Sequence, residues 1–310
     1  MNPADHFVSL TSWPASRIRS LLELAAELKQ KQHQGTPHAC LQGKSVALYF
    51  EKPSTRTRIS FEVACAQLGG TGLYIDMRGK RLGEREAIKD VARVMSRYVD
   101  GIMARVYAHE SVLELAEHSS VPVINGLSDY AHPCQGLADW QTVIEQVGRD
   151  RELTVAYIGD GNNVARSLAV MALKLGARLV VAAPEGYQLD MSFTKNFADD
   201  EPTPGEVELT DDPHHAVAGA DIVYTDVWAS MGQEEESARR ERDFASFQVN
   251  EKLMAAAPDH AKFMHCLPAH RGLEVTDGVI DSPASVVYDQ AENRLHTAKA
   301  VLVKLIGLSS

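Results

Sequence analysis

The stretch Phe50 to Arg58, FEKPSTRTR, gathers in nine residues the groups that hold an anion. Pro53 followed by Ser54 and Thr55 marks a helix start, where backbone N–H groups and the positive end of the helix dipole converge. The hydroxyls of Ser54, Thr55 and Thr57 and the guanidinium of Arg56 add donors at the same place. The segment therefore reads as a phosphate cradle built without a glycine-rich loop. A capped helix followed by surface arginines is the plainer alternative, and composition alone does not name the anion.

Such a cradle needs a strand before it and a helix after it, and the surrounding sequence supplies both. Short β-branched or apolar runs fall at Ser45–Phe50, Gly72–Ile75, Gly101–Val106, Val121–Ile124, Leu153–Ile158, Leu179–Ala183, Ile222–Tyr224 and Lys262–His265. Helix-period stripes lie between them, such as Ile88, Val91, Ala92, Met95 and Val99, or Val164, Leu168, Met171 and Leu175. Strands alternating with helices predict an α/β fold, with two domains, each a mainly parallel sheet flanked by helices, and a cleft between them. A polar stretch at Gln146–Glu152 places the boundary, giving domains at 1–147 and 148–290. The final helix, 291–310, is apolar on one face and is expected to pack back on the first domain. Asp199–Asp212 and Gly232–Asp243 read as solvated loops, the second as a mobile flap.

The bulk numbers exclude several classes. A net charge of −11 opposes attraction to nucleic acid or an anionic membrane. Cys40, Cys65, Cys134 and Cys266 lie far apart with no CxxC, so neither a zinc site nor a disulfide scaffold is indicated. No apolar run is long enough to span a bilayer, and the first residues do not read as a secretory signal, so a cytoplasmic protein is expected. Tyr157–Asn163, YIGDGNN, carries two of the three glycines of a dinucleotide fingerprint, which leaves a nicotinamide-dependent oxidoreductase as a competing reading.

Ser54-Thr55-Arg56-Thr57-Arg58 resembles the signature with which the aspartate/ornithine carbamoyltransferase family holds carbamoyl phosphate, and the likeness continues in order over nearly the whole chain. It implies that Ser54, Thr55, Arg56, Thr57, Arg105, His132, Gln135, Cys266, Leu267 and Arg294 bind carbamoyl phosphate. It likewise implies that Asn163, Asp226, Ser230 and Met231 bind ornithine, and that Arg105, His132, Asp226 and Cys266 are catalytic. Carbamoyl phosphate is already an activated acyl donor, so neither metal nor organic cofactor is expected. The family forms trimers, so a homotrimer or a multiple of it is implied. Cys266 and the Ser-Met-Gly loop favour ornithine over aspartate. Putrescine or an N-acylated ornithine as acceptor, and a non-catalytic anion-binding relative, remain alternatives. Arg81 departs from the family, which commonly places a glutamine before this Leu-Gly pair.

Overall fold

The computed structural model describes residues 6–77, 79–148, 152–197, 203–229 and 234–307. It divides into two compact units: Met1–Gln141 with Asn196–Ala198 and Glu292–Ser310, and Thr142–Lys195 with Asp199–Ala291.

In the first unit the order is α1 (Ala15–His33), β1 (Ser45–Phe50), α2 (Thr55–Gln67), β2 (Thr71–Asp76), α3 (Ile88–Met95), β3 (Gly101–Arg105), α4 (His109–His118), β4 (Val123–Leu127) and the start of α5 (Pro133–Val147). The four strands are parallel in the order β2-β1-β3-β4. The N-terminal segment extends the sheet beyond β4, where Phe7 N–H donates to Val123 O at 2.8 Å and Asn125 N–H to Phe7 O at 2.8 Å. Strand order reverses between β1 and β3, and a parallel sheet opens a ligand crevice at the carboxyl ends of strands flanking such a reversal. Phe50 and Arg105 are paired there, beside a register shift between Ala104 and Arg105. Such a bulge re-aims a side chain at the rim of a sheet.

The second unit continues with β5 (Thr154–Ile158), α6 (Asn163–Leu175), β6 (Arg178–Ala182), β7 (Glu206–Thr210), α7 (Pro213–Val217), β8 (Ile222–Thr225), α8 (Ser237–Asp243), α9 (Glu251–Met254), β9 (Lys262–His265) and α10 (Asp277–Ile280), and α11 (Val287–Ile306) begins in it and belongs from Glu292 on to the first unit. Its sheet is also parallel, ordered β7-β6-β5-β8-β9, so the reversal falls between β5 and β8, where Ile158 pairs with Thr225. Ala156, Ile158, Val223 and Phe263 feed one core with Trp228, Phe244 and Phe247.

Two expected loops are corrected. Within 199–212, Glu206–Thr210 is a strand at the sheet edge, with Glu206 exposed and Val207 half-buried. It pairs with β6 alone and leaves Glu206 and Leu209 exposed, so no buried apolar run marks it in the sequence. Within 232–243, residues 234–236 form a 3-10 turn and Ser237–Asp243 a helix, because Arg240 turns inward. The guanidinium is buried, donating to Asp160 Oδ2 at 2.9 Å, to Trp228 O at 2.8 Å and to Glu236 Oε2 at 2.8 Å. Gly232 and Gln233 lie outside the described residues.

The last helix finds its partner in α1. Lys29 Nζ donates to Asn293 Oδ1 and Lys299 Nζ to Gln32 Oε1, each at 2.9 Å. No described helix is long and apolar enough to cross a membrane.

Candidate active site

In the first unit, Ser54 caps α2 with extended backbone (φ −162°), its Oγ accepting the Thr57 N–H at 3.3 Å. Thr57 is thereby fixed on the first turn, 1% exposed. Arg294 reaches it from α11, donating to Thr57 Oγ1 at 2.9 Å and, through its other terminal nitrogen, to Gln135 Oε1. The planar fork of an arginine suits two acceptors at once. Gln135 sits on the first turn of α5, and its Nε2 donates to the fully buried carboxylate of Asp139 at 2.7 Å, so the amide is held with its oxygen toward Arg294. Glu51, also buried, accepts the N–H groups of Leu82 and Tyr107, tying the segment after β2 and the residue following Val106 to the end of β1.

His132 precedes α5 and is 5% exposed. Burial first, then the charges of Arg294 and Arg105, push its pKa well below the ordinary 6.5. The imidazole is therefore neutral near pH 7 and can donate a hydrogen bond without carrying charge. Arg294 thus acts both on His132 and on Thr57 at the first turn of α2, and Arg105 acts on His132 as well.

In the second unit, Asp226 directly follows β8 and Cys266 directly follows β9. The Cys266 thiol donates to Asp226 Oδ1 at 3.0 Å, and Asn162 Nδ2 donates to Asp226 Oδ2 at 3.0 Å. Asn162 also caps α6, its Oδ1 accepting from Val164 N–H at 2.8 Å and Ala165 N–H at 3.1 Å. One asparagine thereby links the start of α6 to the buried carboxylate. Burial, with Asp226 and Asp160 nearby, drives the Tyr157 hydroxyl well above its ordinary pKa, so it stays protonated. Leu267 has φ +55°, a conformation costing a non-glycine residue about 1–3 kcal/mol, and its N–H donates to His265 Nδ1 at 2.8 Å.

Asp226, His265 and Cys266 bring possible metal-ligand atoms within 4.8 Å of one another. Both imidazole nitrogens of His265 are already engaged, however, Nδ1 by Leu267 N–H and Nε2 by Glu274 Oε1 at 3.1 Å. No lone pair of that ring remains for an ion. The glycine turn does not suit a dinucleotide either. A Cβ on Gly161 would lie 2.4 Å from the Leu189 backbone, so the space that a pyrophosphate would approach is filled by the chain itself.

Models of the carbamoyl-P binding domain and of the Asp/Orn binding domain of aspartate/ornithine carbamoyltransferases match residues 5–145 and 151–305. The chain belongs to the aspartate/ornithine carbamoyltransferase family. An ornithine carbamoyltransferase of Thermococcus kodakarensis is 54% identical over 302 residues, spanning 96% of this chain and 95% of that one. One of Pyrococcus furiosus, named as anabolic, is 55% identical over 302 residues, spanning 96% of this chain and 95% of its own length. The solved structure of an ornithine carbamoyltransferase from Pyrococcus furiosus matches with a TM-score of 0.93 at 53% identity over 98% of both chains. That from Thermus thermophilus matches at 0.87 and 43% identity, over 97% of this chain and 99% of the other.

For this family member, the structure joins Ser54, Thr57, Gln135 and Arg294 by hydrogen bonds, and sets Arg105 and His132 in the same charged surroundings. Arg56 is half-buried and Thr55 exposed on the first turn of α2. Arg58 turns away, stacked 3.8 Å over the Tyr74 ring and paired with Glu62 at 3.1 Å. Asp226, Cys266 and Leu267 cluster in the second unit, with Asn163 at the first position of α6. Ser230 and Met231 lie outside the described residues. Arg81 is exposed, its guanidinium 5.2 Å from the Tyr107 ring centroid. Sequence reasoning did not find Glu51, Asp139, Asn162 or the Asp160–Arg240 pair. Of these, only Asn162 carried a usable signal, as an asparagine at a helix start.

Proposed function

We propose that this chain is an ornithine carbamoyltransferase, converting carbamoyl phosphate and L-ornithine into L-citrulline and phosphate in arginine metabolism. The observation that carries the reading is Arg294 bridging Thr57, on the first turn of α2, and Gln135, with the buried His132 lowered in pKa by burial, Arg294 and Arg105. The δ-amine lone pair attacks the carbamoyl carbon, forming a C–N bond; the tetrahedral intermediate then expels phosphate by breaking the C–O bond, and the nitrogen loses a proton. Ser54, Thr55, Arg56 and Arg294 compensate the phosphate charge. Thr57, Arg105 and His132 stabilise the developing oxyanion, a role that in other acyl-transfer sites contributes roughly 3–4 kcal/mol per donor. Gln135 Oε1 accepts from the carbamoyl NH₂.

Asn163, Asp226, Ser230 and Met231 hold the amino-acid end of ornithine, and Cys266 lies at its δ-amine. That amine has a reference pKa of about 10.4, like lysine, so it must lose a proton before attack. The Asp226–Cys266 pair positions or receives that proton. The residues supply every charge the reaction develops, so the reading includes no cofactor. A cytoplasmic homotrimer completes it, checked by light scattering of the purified protein.

The test is an acceptor panel with carbamoyl phosphate held saturating. Ornithine should exceed putrescine, aspartate and N-acetylornithine in kcat/KM by at least about 100-fold, the loss of one or two hydrogen bonds to charged groups at about 1.5–3 kcal/mol each. Faster turnover with any of the other three overturns the assignment of ornithine. No product with any of the four supports the non-catalytic reading.

A further inference from the structure

A second group of chemically competent side chains lies on a surface that the proposed reaction does not use. His33, at the end of α1, and His296, on α11, both direct Nε2 at Glu292 Oε1, each at 3.1 Å. The three possible ligand atoms lie within 4.8 Å of one another. Glu292 and His296 stand four residues apart and so share one helix face, with His33 arriving from the neighbouring helix. His296 is 1% exposed, its ring fixed by the surrounding core, whereas His33 and Glu292 open to solvent. We propose that His33, Glu292 and His296 form a binding site for a divalent transition-metal ion, clasping α1 to α11.

Metal–nitrogen and metal–oxygen bonds of about 2.0–2.1 Å in tetrahedral geometry put neighbouring ligand atoms about 3.3 Å apart. The two His–Glu separations are already near that value. The His33 and His296 nitrogens lie within 4.8 Å of each other, and His33 is the more exposed of the two rings. A fourth position stays open to water on the exposed side.

The donor set also selects the ion. Lys29 and Lys299 flank the cluster, held by Asn293 and Gln32. Two neighbouring cations and a single carboxylate give little Coulombic attraction for a hard ion such as Mg²⁺ or Ca²⁺, which would seek several oxygens. Two imidazoles favour a borderline ion such as Co²⁺, Ni²⁺ or Zn²⁺. Arg294, midway between Glu292 and His296 in sequence, faces the opposite side of α11, where it meets Gln135 and Thr57. An ion at this site would pin the helix that presents Arg294 without touching the anion cradle.

The test uses the full chain without a polyhistidine tag, in phosphate-free buffer, titrated with Co²⁺ alone and followed by visible absorption and calorimetry. The expected result is one ion per chain with a d–d spectrum lacking thiolate charge transfer. Binding should persist in Cys266→Ser and weaken at least about 10-fold in His33→Ala and in Glu292→Gln, neither of which removes a buried side chain and the second of which leaves His296 an amide oxygen to bond. Unchanged affinity in His33→Ala overturns the proposal. So does the absence of saturable binding, or a spectrum dominated by thiolate charge transfer that vanishes in Cys266→Ser.

Discussion

Replacing Arg294 by lysine and by methionine separates its charge from its fork. In the structure its two terminal nitrogens each hold one acceptor, Thr57 Oγ1 and Gln135 Oε1, across three helices. A hydrogen bond involving a charged group contributes about 1.5–3 kcal/mol. Lysine keeps the charge but cannot hold both acceptors, so one such bond is lost and kcat/KM for carbamoyl phosphate should fall about 10- to 150-fold. Methionine loses both, about 3–6 kcal/mol, for a fall of about 10²- to 10⁴-fold. A second readout follows from His132. Burial, Arg294 and Arg105 hold its pKa down, in that order, so the wild type should show no His132 limb near pH 6.5. Removing the Arg294 charge raises that pKa, and the methionine variant should lose kcat/KM as pH falls through the new value. The assay is initial-rate phosphate release from pH 5 to 9, with near-ultraviolet circular dichroism to confirm folding. Equal effects of lysine and methionine would refute the argument from the fork. A methionine variant within twofold of wild type would refute the role of Arg294 altogether.

Other perturbations act on residues revealed only by the fold. Asp139→Leu frees the Gln135 amide to rotate, and kcat/KM for carbamoyl phosphate should drop at least about 10-fold, with partial recovery in Asp139→Asn, which retains an acceptor oxygen. Arg240→Met leaves the Asp160 carboxylate buried without its ion pair, so urea denaturation should register a loss of about 3–5 kcal/mol, with a raised KM for ornithine as the Trp228 segment loosens. Lys299→Met should act in the opposite direction. Burial lowers the lysine pKa from 10.5 to about 8, so below pH 8 the folded state carries a deficit of up to about 3 kcal/mol that is relieved as pH rises from 8 to 10.5. The variant should therefore be more stable at pH 7, after allowing about 1 kcal/mol for each of the lost bonds to Gln32 and His38, and the difference should shrink toward pH 10 in chemical denaturation.

Buried parallel strands announce themselves as continuous apolar runs, and Ser45–Phe50 and Lys262–His265 match β1 and β9 residue for residue. Edge strand β7 was hidden because it pairs on one side only and leaves Glu206 and Leu209 exposed, so it carries no buried apolar run. Helix α8 was hidden for a different reason. Whether an arginine in a charged run faces water or a buried partner depends on Asp160, 80 residues away, and local pattern carries no such information. The same holds for the candidate site. Ser54 to Thr57 are legible because a helix cap is a local motif, and Asn162 could have been read in the same way. Asp139, by contrast, is one more acid on a helix until Gln135 is seen to donate to it, and Glu51 is one more charge until two backbone N–H groups converge on it.

The central claim, carbamoyl transfer to the δ-nitrogen, is tested most directly by following that bond. Carbamoyl phosphate labelled with ¹³C at its carbonyl and ornithine labelled with ¹⁵N at the δ-position are mixed with the purified protein and observed by NMR. A ¹³C–¹⁵N coupling should grow in step with free phosphate, one bond for each phosphate released. Phosphate released without that coupling, at a rate above the protein-free control, would mean hydrolysis and would contradict the claim.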